Sequence, residues 1–369
     1  MKEITDILKA YQRAEKDGFR SALATVVKVE GSSYRRPGAR MLITEDGRLT
    51  GAISGGCLEG DALRKALSAI VHQENKLITY DTTDEDDAKI GVQLGCNGIV
   101  HILFEPINAG ELHNPISILS ALQSERENAV VATLFSMNGR KHLGTSLIYK
   151  KDNYSCKLSS SLTELIIRDA TDVLSNKISA FQNYQIEGTS IDGFLEYIRP
   201  PISLVIAGAG NDAQPLSEIA YLLGWRVTIA DGRPSHASAQ RFPNADNVLV
   251  IKPEQFISHI SIDEQTAFVL MTHNYNYDIE LLDQLLKTNA RYIGTLGPRT
   301  KLIRMLDDLG LNNTENASRV HGPVGLDIGA ETAEEIAISI ISEIKSVFSA
   351  ASSKSLKEKT NPIHFNEDR

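Results

Sequence analysis

The sequence predicts an α/β protein: a doubly wound parallel sheet in the C-terminal half, preceded by a smaller α+β domain. Two observations support this prediction. From about residue 200, short apolar strands alternate with helical patterns, which is typical of parallel sheets with helical crossovers. The apolar segment Ile202–Ala207 also runs directly into Gly208-Ala209-Gly210-Asn211-Asp212-Ala213. This G-x-G-x-x-A pattern between a strand and a helix is typical of Rossmann-like domains.

The first hundred residues predict a compact α+β region. Apolar residues at helical spacing predict a helix over 2–17, and Asp46-Gly47 predicts the turn of a hairpin. A Gly-rich loop over 54–61 leads into a helix that ends near Gln73. The predicted strands are 22–29, 40–44, 49–53, 76–80 and 99–104.

The remaining chain divides into three further regions. Residues 109–198 show two helices (116–124 and 162–174) and three strands (129–135, 142–149 and 194–199), with no signal of chemistry. In the Rossmann-like part, helices are predicted at 215–223, 237–242, 253–257, 278–288, 300–309 and 333–348, the last with a Thr332/Glu335 capping box. We therefore expect domains at 1–108 and 199–348, a middle segment at 109–198 that packs on or bridges them, and a flexible tail at 349–369.

Composition excludes several classes of protein. The chain has 369 residues, of which 42% are hydrophobic, so global disorder is excluded. No apolar run is long enough to span a bilayer, and the N-terminus has no signal-peptide core. Three cysteines cannot form a full disulfide framework, which favours a reducing cytoplasm. A net charge of -9 argues against nucleic acid as the main partner.

The Gly208–Ala213 loop predicts an anion site. Gly208 permits the tight turn, Gly210 lets the backbone approach a phosphate, and the helix behind the loop offers free N–H groups. Asp231 follows 23 positions after Gly208, where a ribose-binding acid belongs. The ligand could be a dinucleotide or another phosphorylated molecule. Alternatively, the loop binds no ligand and only connects the strand to the helix.

Other loops point to the same edge of the predicted sheet. Thr272-His273-Asn274 follows the fourth strand, Gly294–Arg299 follows the fifth, and Gly322–Gly329 precedes the last helix. Ligands of open parallel sheets bind outside the carboxyl ends of the strands. His273 is therefore a candidate binding residue, with a structural hydrogen bond as the alternative.

Two glycine-flanked cysteines lie in the N-terminal region. Cys57 follows Ser54-Gly55-Gly56 and lies close to a predicted helix N-terminus, which favours a thiolate. Cys96 lies in Gly95-Cys96-Asn97-Gly98. Together they suit a soft metal or a sulfur-bearing ligand. The alternative is that both are small buried hydrophobic residues.

An arginine cluster lies beside the Gly31–Ser33 loop. It comprises Arg35, Arg36 and Arg40. Guanidinium groups suit phosphate or pterin oxygens, and a solvated turn is the alternative.

These motifs resemble the XdhC/CoxI family, the xanthine dehydrogenase accessory factors. The N-terminal match is ATVVKVEGSSYRRPGARMLITEDGRLTGAISGGCLEGD, residues 24–61. The C-terminal match runs through LVIAGAGNDAQPLSEIAYLLGWRVTIADGRP, MTHN, YIGTLGPRTK and GPVGLDIGAETAEEIAISIISEI. Both segments occur in the expected order over about two-thirds of the chain.

The resemblance implies an accessory factor that binds molybdenum cofactor (molybdopterin) as cargo. Such proteins support its sulfuration by a cysteine desulfurase and deliver it to a xanthine-dehydrogenase-type molybdenum hydroxylase. Cys57 and Glu59 match the family's SGGC-x-E motif, and Cys57 is our candidate for contact with the molybdenum. Cys96 matches less well, because the family's Gly-Cys-Gly-Gly turn is Gly-Cys-Asn-Gly here, and Gly297-Pro298-Arg299-Thr300 departs from Gly-Ser-Arg-Arg.

The expected binding residues are therefore Gly55, Gly56, Cys57, Glu59, Arg36, Arg40, Cys96, Gly208, Gly210, Asp231 and His273, with no catalytic residue. We favour a non-enzymatic maturation factor, in the cytoplasm and as a homodimer. The alternative is an oxidoreductase that uses NAD(P) or another nucleotide on the Rossmann-like domain. A third possibility is an interaction module with empty pockets.

Overall fold

The computed structural model describes residues 1–56, 58–81, 98–139, 141–151, 153–186, 188–311 and 318–360. The chain forms two compact units, Met1–Pro200 (unit 1) and Pro201–Arg369 (unit 2). Unit 1 spans the regions predicted as 1–108 and 109–198.

Unit 1 contains a first antiparallel sheet of five strands in the order β3-β2-β1-β5-β4. The strands are β1 (Ser21–Gly31), β2 (Arg40–Thr44), β3 (Leu49–Gly51), β4 (Lys76–Asp81) and β5 (Gly98–Pro106). Helix α2 (Glu59–His72) buries Ala62, Ala66 and Ile70 against this sheet, and α1 (Lys2–Lys16) precedes it in the chain. The Asp46-Gly47 turn joins β2 and β3, as predicted.

A second antiparallel sheet in unit 1 has the order β8-β7-β6-β10-β9. Its strands are β6 (Ala129–Phe135), β7 (Gly144–Lys150), β8 (Asn153–Cys156), β9 (Ala180–Ile186) and β10 (Thr189–Ile198), with helices α3 (Pro115–Ser120) and α4 (Ser160–Asn176). The sequence did not predict β8 or β9. Both are mostly exposed edge strands with polar residues, so they carry little hydrophobic signal.

The two sheets of unit 1 share buried side chains. Leu103 and Val27 of the first sheet pack with Phe135 and Phe194 of the second. A further cluster joins Leu23 to residues of α1, α3, β6 and β7. The sheets therefore bury their facing sides against each other.

Unit 2 is built on a six-stranded, wholly parallel sheet, which confirms the predicted fold class. Its order is β13-β12-β11-β14-β15-β16. The strands are β11 (Ser203–Ala207), β12 (Arg226–Asp231), β13 (Asn247–Val250), β14 (Thr266–Leu270), β15 (Tyr292–Thr295) and β16 (Val320–His321). This is the strand order of doubly wound dinucleotide-binding domains, and it reverses between β11 and β14.

Helices cover both faces of this sheet. They are α5 (Ala213–Leu222), α6 (Tyr275–Leu286), α7 (Arg299–Asp308) and α8 (Ala333–Ser349). The helices contribute to two buried hydrophobic clusters: α5 and α8 contribute to one, and α6 and α7 to the other. The Thr332/Glu335 capping box at the start of α8 is present as predicted.

Two predicted helices are absent from the described part of unit 2. Residues 237–242 form turns, where Phe242 is buried and Arg241 bonds back to the loop at Ala209. Residues 253–257 form short 3-10 turns. The buried aromatic side chain and the local hydrogen bonds outweigh helix propensity in the first segment. No helix among the described residues is long and apolar enough to cross a membrane.

Candidate functional site

The glycine loop (residues 208–213) connects β11 to α5 at the point where the strand order reverses. Gly208 has φ +118°, and a Cβ there would lie 2.4 Å from the carbonyl oxygen of Met271. Only glycine fits this close backbone approach. The first N–H groups of α5 have no acceptor within the helix, so the loop presents a helix N-terminus, a feature that suits an anion, at the carboxyl edge of the sheet.

Asp231 lies at the end of β12, beside the glycine loop, but its carboxylate is fully engaged. Oδ2 accepts from the N–H of Ala209 (2.8 Å) and from Arg233 Nη2 (2.7 Å). Oδ1 accepts from the N–H and Nε of Arg233, both at 2.9 Å. Burial acts to raise the pKa of Asp231, but these bonds outweigh it and hold the pKa below the usual value.

Asp212 and His273 face each other across the crevice between β11 and β14. Asp212 Oδ2 lies 2.8 Å from His273 Nε2. The other oxygen, Oδ1, would be 2.3 Å from a Cβ on Gly210, so the carboxylate lies over that glycine. His273 itself adopts φ +58° and is largely exposed. The pair therefore covers the place where a phosphate would approach the loop.

Arg241 holds the glycine loop from the side of the 232–242 segment. It donates to the carbonyl of Ala209 (2.7 Å) and to Asn211 Oδ1 (2.9 Å). An open cleft of about 1080 Å³ begins at this loop and is lined by Gly210, Asn211, Asp212, Gln214, Pro215, Glu218, Ile219, His273, Ala333 and Glu334. Its charged lining is mostly acidic, which disfavours an anion until Asp212 is moved or neutralised.

A buried ion pair lies below the same edge. Lys301 Nζ donates to Asp278 Oδ2 (2.6 Å) and to the carbonyl of Leu296 (3.0 Å), and Thr272 Oγ1 donates to Asp278 Oδ1 (2.6 Å). Asp278 is fully buried. The network ties the loops after β14 and β15 together. Sequence reasoning missed it, because Lys301 is 23 positions from Asp278.

The cysteine loop (residues 54–59) enters α2 in unit 1. Ser54 donates its N–H (3.2 Å) and Oγ–H (2.6 Å) to the Glu59 carboxylate, and its Oγ accepts from the N–H of Gly56 (3.2 Å). Glu59 therefore shapes the loop. Cys57 and Cys96, both predicted as site residues, lie outside the described residues.

The two glycines of the cysteine loop are exposed. A Cβ on Gly56 (φ +105°) would meet no atom of the described residues within 4 Å. A Cβ on Gly55 would lie 3.4 Å from the ring of Tyr34, whose side chain is 65% exposed. Among the described residues, therefore, the ring of Tyr34 lies at one side of the loop and nothing packs beside Gly56.

The predicted arginine cluster separates into different environments. Arg36 is exposed, as a ligand contact requires. Arg40 is 1% exposed and donates from Nη2 to Glu196 Oε2 (2.5 Å) and from Nη1 to the carbonyl of Gly38 (2.8 Å). This geometry favours a structural ion pair for Arg40 over the predicted contact with phosphate or pterin. Arg35 pairs with Glu3.

Unit 1 also holds a cavity of about 590 Å³ that the sequence did not indicate. Its lining includes Glu105, whose carboxylate accepts from the N–H (2.6 Å) and Oγ1 (2.8 Å) of Thr145. Burial raises the pKa of Glu105 in spite of those bonds. The Glu105–Thr145 bonds join the two sheets, so we assign Glu105 a structural role. Among the residues the structure describes, no three or more His, Cys, Asp or Glu side chains are grouped to hold a metal ion.

Comparison with known proteins gives two domain matches. Residues 204–344 match the XdhC Rossmann domain, and residues 14–81 match the XdhC and CoxI family. The chain is also 32% identical over 329 residues to a probable xanthine dehydrogenase subunit of Bacillus subtilis, covering 89% of this chain and 93% of that protein. The chain belongs to the XdhC and CoxI family. The resemblance expected from the motifs is thereby confirmed.

Other relatives extend the match over most of the chain. The molybdenum cofactor insertion chaperone PaoD of Escherichia coli is 25% identical, over 92% of this chain and 87% of its own. A crystal structure of a xanthine dehydrogenase from Bacillus halodurans superposes with a TM-score of 0.76 at 28% identity, covering 96% of this chain and 98% of that one.

The XdhC and CoxI matches include both loops. The N-terminal match contains the cysteine loop, Arg36 and Arg40, and the Rossmann match contains the glycine loop, Asp231 and His273. Each candidate region therefore lies in a part of the chain that the family shares.

Proposed function

We propose that this chain binds molybdenum cofactor as cargo, supports its sulfuration by a cysteine desulfurase, and delivers it to a xanthine-dehydrogenase-type molybdenum hydroxylase. The observation that carries this proposal is the open cysteine loop at the N-terminus of α2, in a member of a family that includes an insertion chaperone. The proposal includes a homodimeric protein that acts in the cytoplasm.

The cysteine loop fits such a cargo in its chemistry. When bound, the cargo brings a phosphate, a pterin, a dithiolene and a soft metal, and a thiolate is a suitable ligand for soft metals. Gly55 and Gly56 are exposed, and in the sequence Cys57 comes directly before Leu58, the N-cap residue of α2. The free N–H groups and dipole of a helix N-terminus favour a thiolate.

Neighbouring side chains support the same role. The exposed ring of Tyr34 offers a flat apolar surface to a pterin, and exposed Arg36 offers donors to its oxygens or phosphate. Glu59 fixes the cysteine loop by accepting a hydrogen bond from Ser54, and Arg40 fixes strand β2 by its ion pair with Glu196. Neither residue needs to touch the cargo.

The glycine loop is the second part of the proposal. It would bind a phosphate or nucleotide portion of a ligand through the N–H groups of α5. Asp231 already accepts a bond from the N–H of Ala209, so it positions the loop. His273 would act by pairing with Asp212 and reducing the negative charge at the loop.

Pterin content tests the proposal directly. The chain is purified from molybdopterin-sufficient and molybdopterin-deficient cells, and bound pterin is oxidised and measured by fluorescence. We expect pterin only in the first preparation. Cys57→Ser should lower that content about tenfold, the loss of an interaction worth about 1.4 kcal/mol.

Cys156→Ser provides the matched control. Cys156 is a part-buried thiol near Thr163, outside the cysteine loop, and its replacement should leave the pterin content unchanged. Equal pterin in the two preparations, or equal loss in both variants, would refute the proposal.

The strand order of unit 2 favours one alternative, a nicotinamide-dependent oxidoreductase. It requires dinucleotide binding together with oxidation or reduction of a substrate. Absence of binding to both NAD and NADP in a titration would reject it.

A further inference from the structure

The loop after β12 presents hydrogen-bond donors where dinucleotide-binding domains usually present a free carboxylate. An ionised carboxylate has about four acceptor positions. In Asp231 the chain itself fills all four, through the N–H of Ala209 and three donors of Arg233. No acceptor on Asp231 is therefore left for the two hydroxyls of a ribose.

Arg233 keeps donors of its own. A guanidinium has five N–H groups, and two of those in Arg233 are used on Asp231. Among the residues that the structure describes, no acceptor is bonded to the other three N–H groups, and the Arg233 side chain is 49% exposed. The guanidinium of Arg233 is already held in place by its two bonds to Asp231. Binding a ligand through its other N–H groups therefore costs little further conformational entropy.

Two further polar side chains, Ser235 and His236, lie in the same turn. Ser235 is exposed, and its hydroxyl lies 3.0 Å from Nδ1 of His236. The backbone N–H groups of His236 and Ala237 both donate to the carbonyl of Arg233, at 3.0 and 3.1 Å. Arg241 also donates to the carbonyl of His236 (3.1 Å), which links this turn to the glycine loop.

We propose that Arg233, Ser235 and His236 form a phosphomonoester site at the carboxyl end of β12. The Rossmann domain then takes ligands that carry a phosphate at this position, in preference to ligands that carry a free ribose diol there. A guanidinium, a hydroxyl and an imidazole are all suitable donors to a phosphate dianion. Arg233 is the specificity-determining residue, because it supplies the charge and also saturates Asp231.

This inference deepens the proposed function by naming the ligand class of the glycine-loop site. Two sources offer the same chemistry, the 2′-phosphate of an NADP-type dinucleotide and the phosphate of a pterin cargo. The proposal concerns the phosphate, and the experiment separates the sources.

The test is calorimetric titration of the full chain with two matched pairs of ligands. One pair is NADP and NAD, and the other is a pterin phosphomonoester and the corresponding alcohol. In at least one pair, the phosphorylated member should bind about tenfold more tightly, or about 1.4 kcal/mol. The pair that shows the preference identifies the source of the phosphate.

Arg233→Gln should abolish that preference. If NADP is the preferred ligand, the variant should also bind NAD more tightly than the original chain, because the oxygens of Asp231 become free for ribose hydroxyls. Arg226→Gln is the matched control: it changes an exposed arginine at the opposite end of the same strand and should leave the preference intact. Arg233→Lys, which keeps the charge but loses the fork, should show an intermediate preference and serves if the Gln variant does not fold.

No phosphate preference in either pair, including no binding at all, would overturn the inference. So would a preference that survives Arg233→Gln. The effect of Cys57→Ser on pterin content tests the cysteine loop, and the effect of Arg233→Gln on the phosphate preference tests this site, so either proposal can fail alone.

Discussion

The glycine loop and the cysteine loop have similar sequences, but different numbers of side chains bond to them or cover them. Each is a short run of small residues that leads into a helix. At the glycine loop, Asp231, Arg241 and the Asp212–His273 pair bond to the loop or lie over it. At the cysteine loop, the described part of the chain shows only Ser54 and Glu59 shaping the backbone, and none of its atoms packs beside Gly56.

Under our proposals, the two loops would bind their ligands in different ways. The backbone of the glycine loop is fixed by side-chain hydrogen bonds, so its ligand specificity would depend on the few donors that remain unused. The cysteine loop exposes Gly55 and Gly56, so a large cargo would approach along its backbone. Variants that change the packing or the charge around each loop therefore test the comparison.

The largest expected effect concerns the arginines near the cysteine loop. Arg40→Gln should lower the free energy of unfolding of unit 1 by about 3–5 kcal/mol, because it leaves the part-buried Glu196 carboxylate without its partner. Chemical denaturation monitored by circular dichroism measures the loss. Arg36→Gln changes an exposed side chain, whose polar contacts are worth at most about 1 kcal/mol, so it should have the smaller effect on stability and should lower the bound pterin. Equal destabilisation by both substitutions would contradict our assignment of Arg40 as structural.

The next effect compares the same substitution in both loops. Gly208→Ala should destabilise unit 2 by roughly 2–4 kcal/mol, because the added Cβ meets the backbone of Met271 and the positive φ is strained. Gly56→Ala adds a methyl group that meets no atom of the described residues, so it should cost about 1–2 kcal/mol, from backbone strain. Thermal unfolding of the two variants measures the difference. If Gly56→Ala proves the more damaging, the cysteine loop is not open as described.

The smallest effect comes from the carboxylate over Gly210. Asp212→Asn removes a partly exposed pair with His273, so stability should change by no more than about 1 kcal/mol. Affinity for a phosphate-bearing ligand such as NADP should rise about two- to fivefold, because a like charge near the helix N-terminus is removed. Calorimetric titration checks this, and a weaker or unchanged affinity would show that Asp212 does not oppose the anion.

Much of the fold could be predicted from the sequence, because local signals agree with the global arrangement. The strand–glycine–helix pattern at Gly208 and the Thr332/Glu335 capping box are short-range features, and both appear in the structure. Strands β8 and β9 were missed because exposed edge strands need few apolar residues.

The candidate site was less predictable, because its decisive contacts are long-range. Arg40 looked like a surface arginine until its partner Glu196, 156 positions away, was in place. The saturation of Asp231 had a visible signal in Asp231-Gly232-Arg233, but only the folded turn brings the guanidinium onto the carboxylate. The roles predicted for Cys57 and Cys96 stay predictions.

The strand pairing of unit 1 has a consequence for biosynthesis. In the described part of the chain, every partner of β1 to β10 lies before residue 199, including the pairing of β6 with β10 that closes the second sheet. In unit 2, the central strand β11 needs β14, which follows it by about sixty residues. Since domains fold from the N-terminus during translation, the cysteine-loop unit has all its strands available while the ribosome is still making the Rossmann domain.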